Sequence, residues 1–300
     1  VFKLLIIWLI EWLWCLSNLI IKPRKLAYDK GFRREVKCKK FDNKTYEGWN
    51  KKSFHLKSDY GYILSCELFE PGEPLQRKSK VKKIAILCHG LGCAKYESIK
   101  YAELFIKLGF TVLVYDHRNH GLSGKAYTSM GYYEKYDLRK VVSWCYDTYG
   151  NDCIVITHGE SMGAATVLMH LEIDPRVNCV IADCSYSDLK VLLVHQLKQF
   201  YHLPRVLLPI ENMIIYLRAG FWFKQVSPIQ AVKNSDTPVL FVHGKRDNFV
   251  PTYMSKDMYE KKKKNKAIYL VAKAKHAESY CKNRKGYEAV VAEFLTKYLK

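Results

Sequence analysis

Between residues 83 and 274 the chain repeatedly turns wholly apolar for a few residues and then amphipathic for longer. "KIAILCHG" (83–90), "FTVLVYDHR" (110–118), "CIVITHG" (153–159), "VNCVIADCS" (177–185), "PVLFVHG" (238–244) and "AIYLVAKA" (267–274) are short and rich in β-branched residues. Helical patterns fall among them at 98–109, 133–150 and 162–172, and a last one at 286–299 closes the chain. A strand that is apolar at every position must be covered on both faces. Strands of that kind alternating with helices therefore predict a mostly parallel central sheet with helices on both sides, an α/β fold. Such a sheet carries its functional loops at the carboxyl ends of its strands.

Two segments break the rhythm. "SFHLKSDYGYILSCELFE" (53–70) reads as two strands around an Asp59-Tyr60-Gly61 turn. Residues about 186–232 are helical in pattern, contain Pro204 and Pro209, and are more apolar than a surface excursion should be. They are expected to form a helical cap inserted over the active edge of the sheet. The predicted organisation is an anchor helix at 1–21, a basic linker at 22–52, and a catalytic domain at 53–300 with the cap inside it.

The anchor prediction rests on "LLIIWLIEWLWCLSNLII" (4–21), which holds one charge, Glu11, and is followed by "KPRK". As a helix it reaches roughly 27 Å, the thickness of a bilayer core. No small-residue cleavage site follows, so an uncleaved anchor is expected rather than a signal peptide. Glu11, Ser17, Asn18 and the tryptophans leave open a helix that lies on the membrane or packs on the domain. Lys22, Arg24, Lys25, Lys30, Arg33 and Arg34 crowd its C-terminal side against Lys3 in front. The positive-inside rule then places the catalytic part in the cytoplasm, on a single-pass anchor.

The chain carries a formal net charge of +20 over 300 residues, largely from lysine runs such as "KVKK" (80–83) and "EKKKKNK" (260–266). These basic residues are scattered and sit in no reading motif. A solvated lysine-rich surface is the first reading, anionic lipid the second, and no specific nucleic-acid partner is expected. The 10 cysteines show neither a C-x-x-C pair nor zinc-ligand spacing. Several lie in apolar runs as small hydrophobes, which fits a reducing compartment.

The chemistry centres on "GESMG" (159–163). An apolar strand precedes it and a helix follows, the setting in which a serine is turned out above a sheet on a sharp elbow. Gly159 and Gly163 let strand and helix pack closely around Ser161. A serine needs a base to take its proton. His276, after the last strand, supplies one, and Asp247, in "HGKRDNFVP" (243–251), would fix its tautomer. The order Ser…Asp…His is the one this architecture uses. The backbone N–H groups of Leu91, in "HGLG" (89–92), and of Met162 are the candidate oxyanion donors. No metal or organic cofactor is required.

"HGLG", "DHRNHGLS" (116–123), "GESMG", "HGKRDNFVP" and "HAES" (276–279) occur in one order over residues 53–300, and together they resemble the α/β-hydrolase family. The branch they are most similar to contains serine aminopeptidases and prolyl oligopeptidase-like hydrolases. The resemblance implies a Ser/Asp/His hydrolase with 186–232 as its cap. Lys275 stands where that family often has glycine before the histidine.

Other residues in these loops have blander roles open to them. Asp183 also ends a strand and competes with Asp247 for the histidine, although fixing the next loop suits it better. His89 is expected to order "HGLG", and Asp116, Arg118 and His120 to brace its neighbour. Glu160 either contacts a substrate amine or braces the elbow, with bracing preferred. The leading functional expectation is a membrane-anchored serine esterase or lipase-like enzyme whose small-molecule substrate carries an apolar acyl group. The alternatives are a peptidase or amidase of the serine aminopeptidase type, an acyltransferase, and a non-catalytic membrane scaffold. The sequence does not fix an oligomeric state.

Overall fold

A computed structural model describes residues 11–70 and 81–299. Residues 11–16 are helical and lead into α1 (Asn18–Ile21), α2 (Tyr28–Lys37) and α3 (Asn43–Glu47). An antiparallel pair follows, β1 (Asn50–Lys57) and β2 (Ile63–Glu70), joined by the Asp59-Tyr60-Gly61 turn. Then come β3 (Lys83–Cys88), α4 (Ile99–Lys107), β4 (Thr111–Tyr115), α5 (Glu134–Tyr149), β5 (Ile154–Glu160), α6 (Met162–His170) and β6 (Cys179–Asp183). After the cap, the sequence closes with β7 (Val239–Gly244), α10 (Tyr253–Lys261), β8 (Lys266–Val271), α11 (Ser279–Lys282) and α12 (Arg284–Tyr298). The cap contributes α7 (Leu189–Gln196), a π-helical turn (Leu197–Tyr201), α8 (Leu207–Ala219) and α9 (Pro228–Asn234).

The strands form one 8-stranded sheet in the order β1-β2-β4-β3-β5-β6-β7-β8. β3 to β8 are mutually parallel, and β2 joins them antiparallel through β4. The α/β architecture read from the sequence is the architecture found. Alternation along β3 shows why its run is apolar throughout: Ala85 and Leu87 enter the core beneath α4 and α12, while Ile84 and Ile86 enter the core beneath α5 and α6. Met162, Ala165 and Met169 meet the cap residues Leu192, Leu208 and Ile215 in a further cluster.

The N-terminal third departs from the expected linker. Residues 22–52 are folded: Tyr28, Phe32 and Val36 of α2 recur at four-residue spacing and pack with Phe41, Tyr46 and Trp49 against the buried Phe69 and Tyr96. The lysines and arginines between them reach outward and leave their aromatic neighbours to the core. Part of the predicted anchor, residues 1–10, lies outside the described residues. Among the described residues no helix is long and apolar enough to cross a membrane. Residues 13–21 instead lie on the cap, with Leu13, Ser17 and Ile21 buried. Arg218 of α8 fastens them there. Its guanidinium donates to the Trp14 carbonyl at 2.5 Å, to Asn18 Oδ1 at 2.8 Å and to the Ser17 hydroxyl, and it stacks 4.5 Å from the centre of the Trp14 ring.

Candidate active site

The elbow between β5 and α6 is the most constrained point of the backbone. Ser161 has φ 57° and ψ −117°, a conformation that disfavours any side chain and costs about 1–3 kcal/mol. Its neighbours explain how the turn is held. A methyl group on Gly159 would stand 2.2 Å from the Gly163 carbonyl oxygen, and one on Gly163 would stand 2.1 Å from the Cys88 carbonyl oxygen. The Ser161 N–H donates to the Asp183 carbonyl at 2.9 Å, which ties the elbow to β6. Gly163→Ala must push α6 away from β3, so it is expected to destabilise the fold by about 3 kcal/mol or more. Urea denaturation of the purified variant measures this.

The structure brings Ser161, His276 and Asp247 together in one line. His276 Nε2 lies 2.9 Å from Ser161 Oγ, and His276 Nδ1 lies 2.7 Å from Asp247 Oδ2. The loop after β8 holds the imidazole without the glycine often found there, because the Glu278 carboxylate accepts from the Lys275 N–H at 3.0 Å. Phe249 covers the imidazole, with ring centres 5.0 Å apart. Asp247 is held from every side. Its Oδ1 accepts from the Phe249 and Val250 N–H groups, both at 2.9 Å, and its Oδ2 also lies 3.2 Å from His243 Nε2. His243 Nε2 faces the Val250 carbonyl as well, at 2.9 Å, so this nitrogen carries the proton, and Nδ1 meets the Ser255 hydroxyl at 2.7 Å. Burial alone would raise the Asp247 carboxyl. Hydrogen bonds from His243 and His276 outweigh it and hold the group at about 2, below the ordinary 3.8.

The two segments that carry the candidate oxyanion donors, Leu91 and Met162, flank Ser161. Met162 occupies the first turn of α6, where an N–H has no helical partner, and the helix dipole favours negative charge there. Gly90, next to Leu91, lies against Ser161: a methyl group placed on it would be 3.5 Å from Ser161 Cβ. Two histidines brace this loop. His89 Nδ1 donates to the Gly90 carbonyl at 2.8 Å, and its Nε2 accepts from the His117 N–H at 3.0 Å. His120 Nε2 accepts from the Gly92 N–H at 3.0 Å. Burial lowers both imidazoles, which keeps them neutral and able to accept. Asp116 binds the Lys95 ammonium at 3.0 Å and the Leu122 N–H at 2.9 Å, and Arg118 binds Asp137 at 3.1 Å.

Glu160 faces away from the serine into a buried cluster. It pairs with Lys100 at 2.5 Å and accepts from the Tyr101 hydroxyl. Burial opposes its charge, but the Lys100 ammonium keeps the carboxyl below its usual range. Tyr101 also reaches Asp183, at 3.3 Å. Burial, followed by the Glu160 charge, pushes Asp183 up to about 7. Asp183 thus belongs to the cluster beneath the elbow, whereas His276 is bonded to Asp247. Lys100 and His243 carried no signal in the sequence beyond lying in a helical and a strand pattern.

Among the described residues, Cys184, Asp247 and His276 form the one group of donor atoms close enough to hold a metal ion. Its chemistry suits the proton relay better. Both Asp247 oxygens are occupied by hydrogen bonds, and burial raises the Cys184 thiol well above its ordinary value, which keeps it protonated.

An apolar cavity of about 120 Å³ opens beside the relay. Leu91 and Phe249 form its wall toward the serine, Leu197 and Leu208 its cap side, and Leu16 and Ile20 its far side.

Comparison with known proteins places this arrangement. The alpha/beta hydrolase fold family matches residues 85–209. The "Uncharacterized protein YqkD" of Bacillus subtilis (strain 168) is 36% identical over 282 residues, which cover 93% of this chain and 90% of that protein. The chain belongs to the α/β-hydrolase family. Among solved structures, the Pyrococcus furiosus esterase Pf2001 superposes on this hydrolase fold with a TM-score of 0.70 at 23% identity, over 87% of this chain and 95% of that one. The Pyrococcus horikoshii acylaminoacyl peptidase gives a TM-score of 0.64 at 16% identity, over 87% of this chain and 44% of that one. At these identities the likeness is one of fold.

Proposed function

We propose that this α/β-hydrolase cleaves carboxylic esters of apolar acyl groups through an acyl-enzyme on Ser161. The observation that carries the reading is the Ser161–His276–Asp247 relay beside a mainly apolar cavity, whose lining includes Leu91 and the Phe249 that covers His276. Ser161 Oγ attacks the ester carbonyl carbon as its proton passes to His276 Nε2. The oxyanion is stabilised by the N–H groups of Leu91 and Met162, each worth about 3–4 kcal/mol of barrier. The intermediate collapses, the C–O bond to the alcohol breaks, and the departing oxygen takes the proton from His276. Water then adds to the acyl-enzyme by the same route and releases the acid. A panel of p-nitrophenyl esters of increasing acyl length, run beside aminoacyl-nitroanilides, tests the reading. Turnover rising with acyl length supports it, and turnover confined to the nitroanilides replaces it with a peptidase.

The same reading places the enzyme at a membrane surface, with its catalytic domain on the cytoplasmic side. The support is an apolar face on the cap. Val206 is 69% and Leu217 70% exposed, and Phe200, Ile210 and Met213 are exposed with them. Trp14 and Leu19 of the N-terminal segment are exposed too. Val206→Glu/Leu217→Glu is expected to weaken binding to anionic vesicles about tenfold or more, as measured by co-sedimentation. Unchanged binding would assign attachment to the basic surface or to residues 1–10.

A further inference from the structure

The cavity beside the relay contains one carboxyl group. Glu211 of α8 is 5% exposed and lines this mainly apolar space, where Gln196 and Tyr201 are the other residues with polar side-chain atoms, and neither of its carboxyl oxygens has a hydrogen-bond partner among the described residues. The nearest cation in sequence on this helix, Arg218, is committed elsewhere, to Trp14, Ser17 and Asn18. A buried carboxyl without a partner is costly, and leucine at this position would fill the cavity wall without that cost. Asp116, Asp137, Glu160 and Asp247, also buried near the site, all have partners, and Asp183 has one on a single oxygen, from the Tyr101 hydroxyl.

We propose that Glu211 is the polar recognition point of the acyl cavity, and that the acyl chain of the substrate carries a hydroxyl group that hydrogen-bonds to it. This rests on the esterase reading above and narrows it to hydroxyacyl esters. A hydroxyl can donate to one carboxyl oxygen and accept from a protonated one, so it satisfies the group in either state. Burial pushes the Glu211 carboxyl up to about 7 against the opposing field of Arg218, so a partner able both to donate and to accept meets it in both protonation states. The apolar part of the lining, which includes Leu91, Met130, Leu197, Leu208 and Phe249, suits the methylene chain on either side of the hydroxyl.

The test compares p-nitrophenyl octanoate with p-nitrophenyl hydroxyoctanoates bearing the hydroxyl at successive carbons, and with the matching aminooctanoates. Wild-type enzyme is expected to prefer one hydroxyl position over plain octanoate by at least about tenfold in kcat/KM. Glu211→Leu is expected to lose that preference, to hydrolyse plain octanoate faster than wild type, and to unfold at a higher temperature. Glu211→Gln, which can still donate and accept, keeps a reduced preference. Preference for an aminooctanoate over every hydroxyoctanoate overturns the neutral partner. An equal loss on all esters together with a lower Tm in Glu211→Leu assigns the residue a structural role and overturns the proposal. Turnover of every ester with the same ranking in wild type and Glu211→Leu overturns this proposal and leaves the esterase reading standing. Absence of both ester turnover and fluorophosphonate labelling at Ser161 overturns both.

Discussion

Ser161→Ala is expected to abolish labelling by a fluorophosphonate probe and to lower kcat for the best ester by on the order of 10⁶-fold, leaving only what the oxyanion donors and substrate binding provide. The expectation is sharp because Ser161 Oγ lies 2.9 Å from His276 Nε2 and no other hydroxyl approaches that nitrogen among the described residues. The variant should fold at least as well as wild type. Alanine keeps the backbone strain at this position but removes no bond that the elbow depends on, since the Ser161 N–H still donates to Asp183. Equal labelling of the variant would move the nucleophile elsewhere and would leave the relay without a chemical role.

The second large effect concerns the acid. Asp247→Asn is expected to lower kcat by roughly 10⁴-fold, because an amide at this position stabilises the wrong imidazole tautomer and cannot offset the imidazolium. Asp183→Asn should leave kcat within a few fold of wild type, since Asp183 is bonded through Tyr101 to the cluster around Glu160. The opposite pair of results would exchange the two aspartates. Asp247 also has a signature in stability. Its folded value of about 2 lies below the ordinary 3.8, so its contribution is fully present above about pH 4 and is lost as the pH falls through 2. A shift of that size corresponds to about 2 kcal/mol. Acid titration of urea stability should therefore lose a step in Asp247→Asn.

What the sequence made legible follows from which patterns are local. The strands β3 to β7 are apolar at nearly every position because helices cover both faces, and a pattern that uniform survives without knowledge of the partners. The elbow was readable for a steric reason: at Gly159 and Gly163 a methyl group would meet backbone. Chain order then placed Asp247 and His276 at the carboxyl ends of β7 and β8. Residues 22–52 were misread because their dense charge masks the aromatic residues set within it. The four-residue spacing of Tyr28, Phe32 and Val36 is a helical stripe, but Asp29, Lys30, Arg33, Arg34 and Glu35 surround it with charge. Lys262 shows the same difficulty in reverse. It stands in a lysine run that reads as solvated, yet its ammonium is buried and donates to the Ser235 carbonyl at 2.7 Å. Glu211 was illegible for another reason, since a polar residue in an apolar helix reads as the outward face unless the cavity beneath is known.

The Arg218 contact has a practical consequence for any preparation of this enzyme. Leu16, Leu19 and Ile20 line the cavity beside the relay, and Arg218 holds the segment that carries them. A protein shortened after residue 21 to improve its solubility would therefore have a wider slot with one side open to water. Its substrate ranking would describe that slot. Selectivity for chain length, and any inhibitor fitted to it, should be judged on protein that retains residue 11 onward.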